Sequence, residues 1–280
     1  MIKIAVSNIA WDPSERVAIY ARLAEAGVNG LEIAPGLAFA DQPDAMAPSA
    51  VAISAFRQEI ERFGLELVSM QSLLFGVNGA FLFGGEMESK RFEHGLERAI
   101  SLAARLSIAN LVVGSPRNRI IPDGMTRAQA ERHARDVFRR LGEKALAAGT
   151  RLALEPNPVA YGTNFLNTLS ETIAFADEVD HPAVTLNFDI GALIMNGEIE
   201  NAAELFTRGA TRISHVHVSE PHLAPAPRCE DSFAATAGSL LSAAYSGWFS
   251  LEMRSVGTDN SANVLSCAEA CVRQLKAVTR

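Results

Sequence analysis

A chain of 280 residues, 48% hydrophobic and 20% charged, has the material for one large core and is too apolar to remain disordered. Its 32 acidic against 25 basic side chains, a formal net charge of −7, argue against a nucleic-acid partner, which needs clustered Lys and Arg to track phosphates. No apolar run approaches the roughly 20 residues that span a bilayer, and Met1–Val6 reads as a strand rather than a signal peptide, so a cytoplasmic protein without membrane contact is expected.

Taken in chain order, eight short apolar, β-branched runs predict strands: Ile2–Ser7, Gly30–Ala34, Leu65–Gln71, Leu111–Gly114, Arg151–Glu155, Val184–Asp189, Ile213–Val218 and Trp248–Met253. Between them, apolar residues at three- and four-residue spacing predict amphipathic helices, among them Arg16–Ala26, Ser49–Phe63, Phe92–Leu106 and Arg127–Ala148. Asp12-Pro13-Ser14 can start a helix, Ala26-Gly27 can end one, and Pro122-Asp123-Gly124 marks a turn. Strands apolar at nearly every position imply burial on both faces, hence a parallel sheet with helical crossovers.

Eight such rounds predict an α/β fold closed as a (β/α)₈ TIM barrel, with residues 1–280 as a single domain. The first strand is not followed by G-x-G-x-x-G and no G-x-x-x-x-G-K-[ST] occurs, which removes the best support for an open nucleotide-binding sheet. Cys229, Cys267 and Cys271 lack CxxC spacing and are read as reduced structural thiols, the last two sharing a helix face.

Barrel chemistry sits on the loops that follow the strands, so charged residues at the ends of apolar strands are informative. Four of the last four strands carry them: Glu155, Asp189, His215 or His217, and Glu252. Three carboxylates and an imidazole converging on one mouth would repel without a cation, so one divalent metal is expected there. A mostly oxygen donor set favours Mn²⁺ or Mg²⁺, with Co²⁺ or Zn²⁺ as alternatives. His215 and His217 point to the same side of their strand, and periodicity alone leaves open which of them is the ligand.

The runs Leu-Glu-Pro-Asn-Pro around Glu155, Asn-Phe-Asp-Ile-Gly around Asp189, His-Val-His-Val-Ser-Glu around His217 and Ser-Leu-Glu-Met-Arg around Glu252 resemble the xylose-isomerase-like sugar phosphate isomerase/epimerase superfamily over the whole chain. Their order is similar to the metal set of the ketose 3-epimerases, which implies Glu155, Asp189, His217 and Glu252 as ligands and leaves His215 a packed or supporting role. Family members commonly place a substrate-holding histidine three residues after the aspartate; this chain has Ala192 there, so the resemblance extends to the metal set and not to that contact.

The resemblance implies a metal-dependent isomerase or epimerase of a sugar or sugar phosphate, working by proton transfer through an enediolate, with Glu155 and Glu252 as the catalytic pair. Residues near other strand ends are candidate substrate contacts: Glu32, Gln71, Arg117, Arg119, Asn157, His222 and Arg254. His94, His133 and His181 are expected at the surface, Trp11 in the barrel mouth, and Phe81 and Phe83 in local packing. Competing readings are an inosose-type dehydratase on the same scaffold and a sugar- or metal-binding protein without turnover. A metal-dependent endonuclease is disfavoured by the acidic charge and few histidines. A homodimer is the assembly that base rates favour.

Overall fold

Eight strands pair in parallel and in sequence order in the computed structural model, which describes residues 2–228, 230–256 and 260–279. They are β1 (Ile4–Ser7), β2 (Gly30–Ile33), β3 (Glu66–Met70), β4 (Asn110–Val113), β5 (Leu152–Leu154), β6 (Val184–Asp189), β7 (Ile213–Ser219) and β8 (Trp248–Glu252). Pairing of β8 with β1 closes the barrel. Each strand lies within two residues of its predicted bounds at either end, because an apolar run enclosed on both faces is a local signal.

Around the strands lie α1 (Arg16–Ala26), the short α2 (Pro35–Ala38), α3 (Ala50–Glu61), α4 (Glu86–Leu106), α5 (Arg127–Ala147), α6 (Leu169–Val179), α7 (Ile190–Met195), α8 (Ala202–Gly209), α9 (Glu230–Ser242) and α10 (Ser261–Val278). Side-chain caps set several starts: Ser49 Oγ accepts from the Ala52 N–H at 3.1 Å, and Thr126 shares a capping box with Gln129. Gly27 ends α1 at φ 92°, a left-handed position that suits glycine. The expected start of one helix at Phe92 is corrected to Glu86. Apolar periodicity begins only at Phe92, whereas Glu86 and Glu88 in the first turn, with the Glu88 side chain accepting from the Gly85 N–H at 2.8 Å, carry the helix six residues further back.

The barrel interior is unusually polar, and strand alternation explains how. In β6, Val184, Leu186 and Phe188 share the outer face, where Phe188 meets Phe206 of α8 edge-on at 5.7 Å, while Thr185, Asn187 and Asp189 share the inner one. In β7 the inner set is His215, His217 and Ser219. Register shifts occur at Leu31/Glu32 and at Leu186/Asn187, each just where a polar side chain enters the lumen.

Outside the strands, edge-on aromatic pairs link Phe83, Phe165, Phe175, Phe138 and Phe92, with centroids 4.9, 5.3, 6.0 and 6.4 Å apart. Phe83 is thereby fixed in packing, as is Trp11, buried and edge-on to Tyr20. Cys271 is buried and its thiol is pushed up to about 12 by that burial, Cys267 is half-buried on the same helix, and Cys229 lies outside the described residues. Two histidines expected at the surface are not there. His181 is buried over Gly142, with Nδ1 accepting from the Ala183 N–H at 3.1 Å, and His133 is half-buried between Ser89 and the Leu82 carbonyl. Among the described residues no helix is long and apolar enough to cross a membrane.

Candidate metal centre

Four adjacent strands deliver the expected acids and imidazole to one point. Glu155 follows β5, Asp189 and Glu252 are the last residues of β6 and β8, and His217 lies two residues before the end of β7. His217 Nδ1 stands 3.1 Å from Glu155 Oε1, 3.2 Å from Glu252 Oε2 and 3.5 Å from Asp189 Oδ2. One ligand atom from each of the four falls within 4.8 Å of all the others. His215 is not in this group; it faces Glu32 instead.

The electrostatics describe a cluster in need of positive charge. Burial pushes the Glu252 carboxyl up to about 7, with the charges of Glu155 and Asp189 adding to it and His217 working against it. Burial would also raise Glu155, but hydrogen bonds and charge from His217, the Asn157 amide and the Arg119 guanidinium hold it below the usual carboxylate range. Burial would lower His217, yet Glu32 and the three cluster acids hold its imidazole well above its ordinary value. The imidazolium thus serves as the local cation. His217 Nδ1 is buried yet makes no hydrogen bond of acceptable geometry, so its donor direction is uncommitted except toward the carboxylates. Three carboxylate oxygens and one imidazole nitrogen suit a hard divalent ion, and the residues present fit one.

Neighbours hold each acid in place. Asn187 Nδ2 donates to Glu155 Oε1 at 2.8 Å and Asn157 Nδ2 to Oε2 at 3.0 Å. Asp189 Oδ1 accepts from Ser219 Oγ at 2.8 Å and from the Ala192 N–H at 2.6 Å. Gly114, just beyond β4, leaves the room Glu155 occupies: a Cβ there would lie 2.5 Å from Glu155 Oε2. Sequence reasoning passed over Asn187, Ser219 and Gly114. The available signal was alternation, since Asn187 sits two before Asp189 and Ser219 two after His217.

A cavity of about 860 Å³ opens above the cluster, with Glu155, Asp189 and Glu252 in its wall. Of the expected substrate contacts, Gln71, Arg117, Asn157, His222 and Arg254 line it. Glu32 and Arg119 do not. Both are buried beneath, Glu32 against two histidines and Arg119 with Nη2 donating to the Glu155 carbonyl at 2.7 Å, so neither reaches the cavity in which a substrate contact was expected. Tyr161, which sequence reasoning did not single out, also lines the cavity; its hydroxyl accepts from the His222 N–H at 3.1 Å, and the two rings stand edge-on at 6.1 Å. Burial raises the Tyr161 phenol, the His222 N–H opposes this, and the charges of Asp189, Glu252 and Glu155 add to it, placing the hydroxyl within reach of the cluster's field. Ala192 contributes only a methyl group to the wall.

The comparisons with known proteins concur on the scaffold. A family model described as xylose isomerase-like TIM barrel matches residues 20–270. Among solved structures, an L-ribulose 3-epimerase superposes with TM-score 0.77 at 19% identity, covering 100% of this chain and 96% of its own. A 3-keto-D-glucoside 4-epimerase from E. coli gives 0.76 at 20%, covering 99% and 100%, and a D-allulose 3-epimerase from Methylomonas sp., solved with D-allulose, gives 0.75 at 19%, covering 99% and 96%. No curated protein is significantly similar in sequence. At these identities the structural likeness establishes the fold.

Proposed function

Because the chain belongs to the xylose isomerase-like TIM barrel family, we propose that it is a divalent-metal-dependent isomerase or epimerase acting on a sugar or sugar phosphate. The observation that carries this reading is the convergence of Glu155, Asp189, Glu252 and His217 Nδ1 on one point at the floor of a cavity with room for a sugar. The neighbouring folds named as sugar epimerases supply the substrate class.

A C–H beside a sugar carbonyl is too weak an acid to ionise unaided. A divalent ion held by the four residues, Mn²⁺ or Mg²⁺ by their chemistry, would polarise the carbonyl and offset charge on the enediolate. Glu155 and Glu252 project from β5 and β8, so one takes the proton and the other returns it to the opposite face, giving epimerisation. Return to the adjacent carbon gives isomerisation. Asn157 and His222 orient substrate hydroxyls, Tyr161 lines the same cavity, and Arg117 and Arg254 are placed to receive an anionic substituent.

The test is hydrogen exchange between solvent deuterium and a panel of ketoses, ketose phosphates and polyol-derived ketones, with Mn²⁺ or Mg²⁺ added and then chelated. Metal-dependent exchange in the wild type, lost in both Glu155→Gln and Glu252→Gln, is the expected result. Release of water with a dehydrated product would reassign the protein as a dehydratase. Tight sugar and metal binding without exchange at any carbon would reassign it as a binding protein, the reading that Ala192 favours.

A further inference from the structure

Glu32 is fully buried at the inner face of β2, and its two carboxylate oxygens are divided between two tasks. Oε2 lies 3.1 Å from His217 Nε2 and 3.1 Å from His215 Nε2. Oε1 accepts from Gln71 Nε2 at 3.0 Å, and the same amide nitrogen reaches Ser7 Oγ at 2.7 Å. Strands β1, β2 and β3, which contribute no acid to the metal cluster, therefore build a polar anchor that crosses the lumen to β7.

The chemistry of imidazole gives that anchor a purpose. In the neutral ring one nitrogen carries the proton and the other a lone pair, and only the lone pair can bind a cation. Nδ1 of His217 faces the three carboxylates and Nε2, on the other side of the ring, faces Glu32. An Nε2–H donated to Glu32 leaves Nδ1 free for the ion and fixes the plane of the ring; the other tautomer would aim an N–H at the ion. We infer that Glu32 is a positioning residue that acts through His217, selecting the Nε2-protonated tautomer and the ring orientation that present Nδ1 to a divalent cation, with Gln71 and Ser7 holding the carboxylate in turn. This inference rests on the metal reading proposed above. It replaces the sequence expectation that Glu32 and Gln71 each contact substrate: Gln71 borders the cavity, but its amide nitrogen is committed to Glu32 and Ser7.

One rival arrangement uses the same atoms. Glu32, His215 and His217 are close enough to hold an ion of their own, with His217 then bridging two metals. Stoichiometry separates the two arrangements.

The experiment is calorimetric titration of the purified full chain with Mn²⁺, and imidazole ¹⁵N NMR of the Mg²⁺-loaded chain, for wild type, Glu32→Gln and Glu32→Ala, with thermal unfolding as the fold control. The expected result is one ion per wild-type chain and a single Nε2-protonated tautomer at His217. Binding should weaken by about 10- to 100-fold in Glu32→Ala and by less in Glu32→Gln, with the tautomer signal mixed or shifted in both. If Glu32→Ala does not fold, the near-isosteric Glu32→Gln decides on the same two readouts. A folded variant with wild-type affinity and an unchanged tautomer overturns this inference and leaves the metal centre intact. Two ions per wild-type chain, one of them lost in Glu32→Ala, overturns it in favour of ligation. A wild-type chain that binds no divalent ion overturns both this inference and the metal reading beneath it.

Discussion

The Arg119 guanidinium, buried beneath the loop after β4, donates from Nη2 to the main-chain carbonyl of Glu155 at 2.7 Å, so a cation that sequence reasoning placed against substrate supports one acid of the cluster from behind. Burial pulls Arg119 down to about 10, opposed by the Glu155 charge, and leaves it protonated at neutral pH. Its Nε and Nη1 have no partner, so removing the side chain relieves two desolvated nitrogens while orphaning one carbonyl. Arg119→Met is therefore expected to cost no more than about 1–3 kcal/mol in urea unfolding. Because the lost charge had helped hold Glu155 ionised, the acid limb of Mn²⁺ binding should also move to higher pH. Arg119→Lys, which restores the charge, should bring the limb back; an unmoved limb in Arg119→Met would remove the electrostatic role.

Gly114 offers a way to disturb the site without disturbing the barrel. The Cβ of Gly114→Ala would meet the Glu155 carboxylate, the free end of a flexible side chain, at 2.5 Å. The carboxylate can swing aside, so unfolding free energy should change by less than about 1 kcal/mol, while misplacement of one ligand should weaken Mn²⁺ binding by roughly 10-fold or more. A parallel loss of stability and binding would mean that the glycine serves packing instead.

Cation affinity should depend on pH with a sign set by two groups. Glu252 in the folded chain stands at about 7, above its unfolded value, so the folded state keeps a proton that the unfolded state releases. Metal-free protein accordingly loses stability as pH rises from about 4.5 to about 7, with no further loss from this group above that. His217 is raised as well; the stability it contributes is present below its unfolded value and lost as pH rises through its folded one. An ion must displace both protons, so Mn²⁺ should bind more tightly at pH 8 than at pH 6 and raise the melting temperature more there. Calorimetry at pH 7 in buffers of different ionisation enthalpy should register proton release on binding; an absence of release would contradict the cluster as the binding site.

Arg117 and Arg254 both line the cavity, and neither guanidinium forms an ion pair among the described residues. For a phosphorylated or carboxylated substrate, Arg117→Ala or Arg254→Ala should raise KM about 10-fold or more with little change in kcat, the amount expected for a charge-assisted hydrogen bond formed equally in ground and transition states. For a neutral sugar the same variants should leave KM within about 2-fold. Equal behaviour of the two substrate classes would assign these arginines to solvent.

Much of this molecule is written locally. Apolar runs of strand length, alternating with helical spacing, determined an eight-fold α/β chain, because burial on both faces leaves its mark on every residue of a run. Acids at the ends of those runs, Glu155, Asp189 and Glu252, pointed to one mouth because a parallel barrel sends all its strand ends the same way.

Only the tertiary structure decided the partners. Which of His215 and His217 meets the acids, the burial of Arg119 under Glu155 and the joining of Glu32 to His217 all depend on side chains from strands distant in sequence meeting inside the lumen. A strand's periodicity tells which face a residue occupies, but the distance from that face to another strand's side chain is set by barrel closure and by the register shifts at Glu32 and Asn187. Such distances come into being only when β8 pairs with β1 and the eight inner faces share a single space.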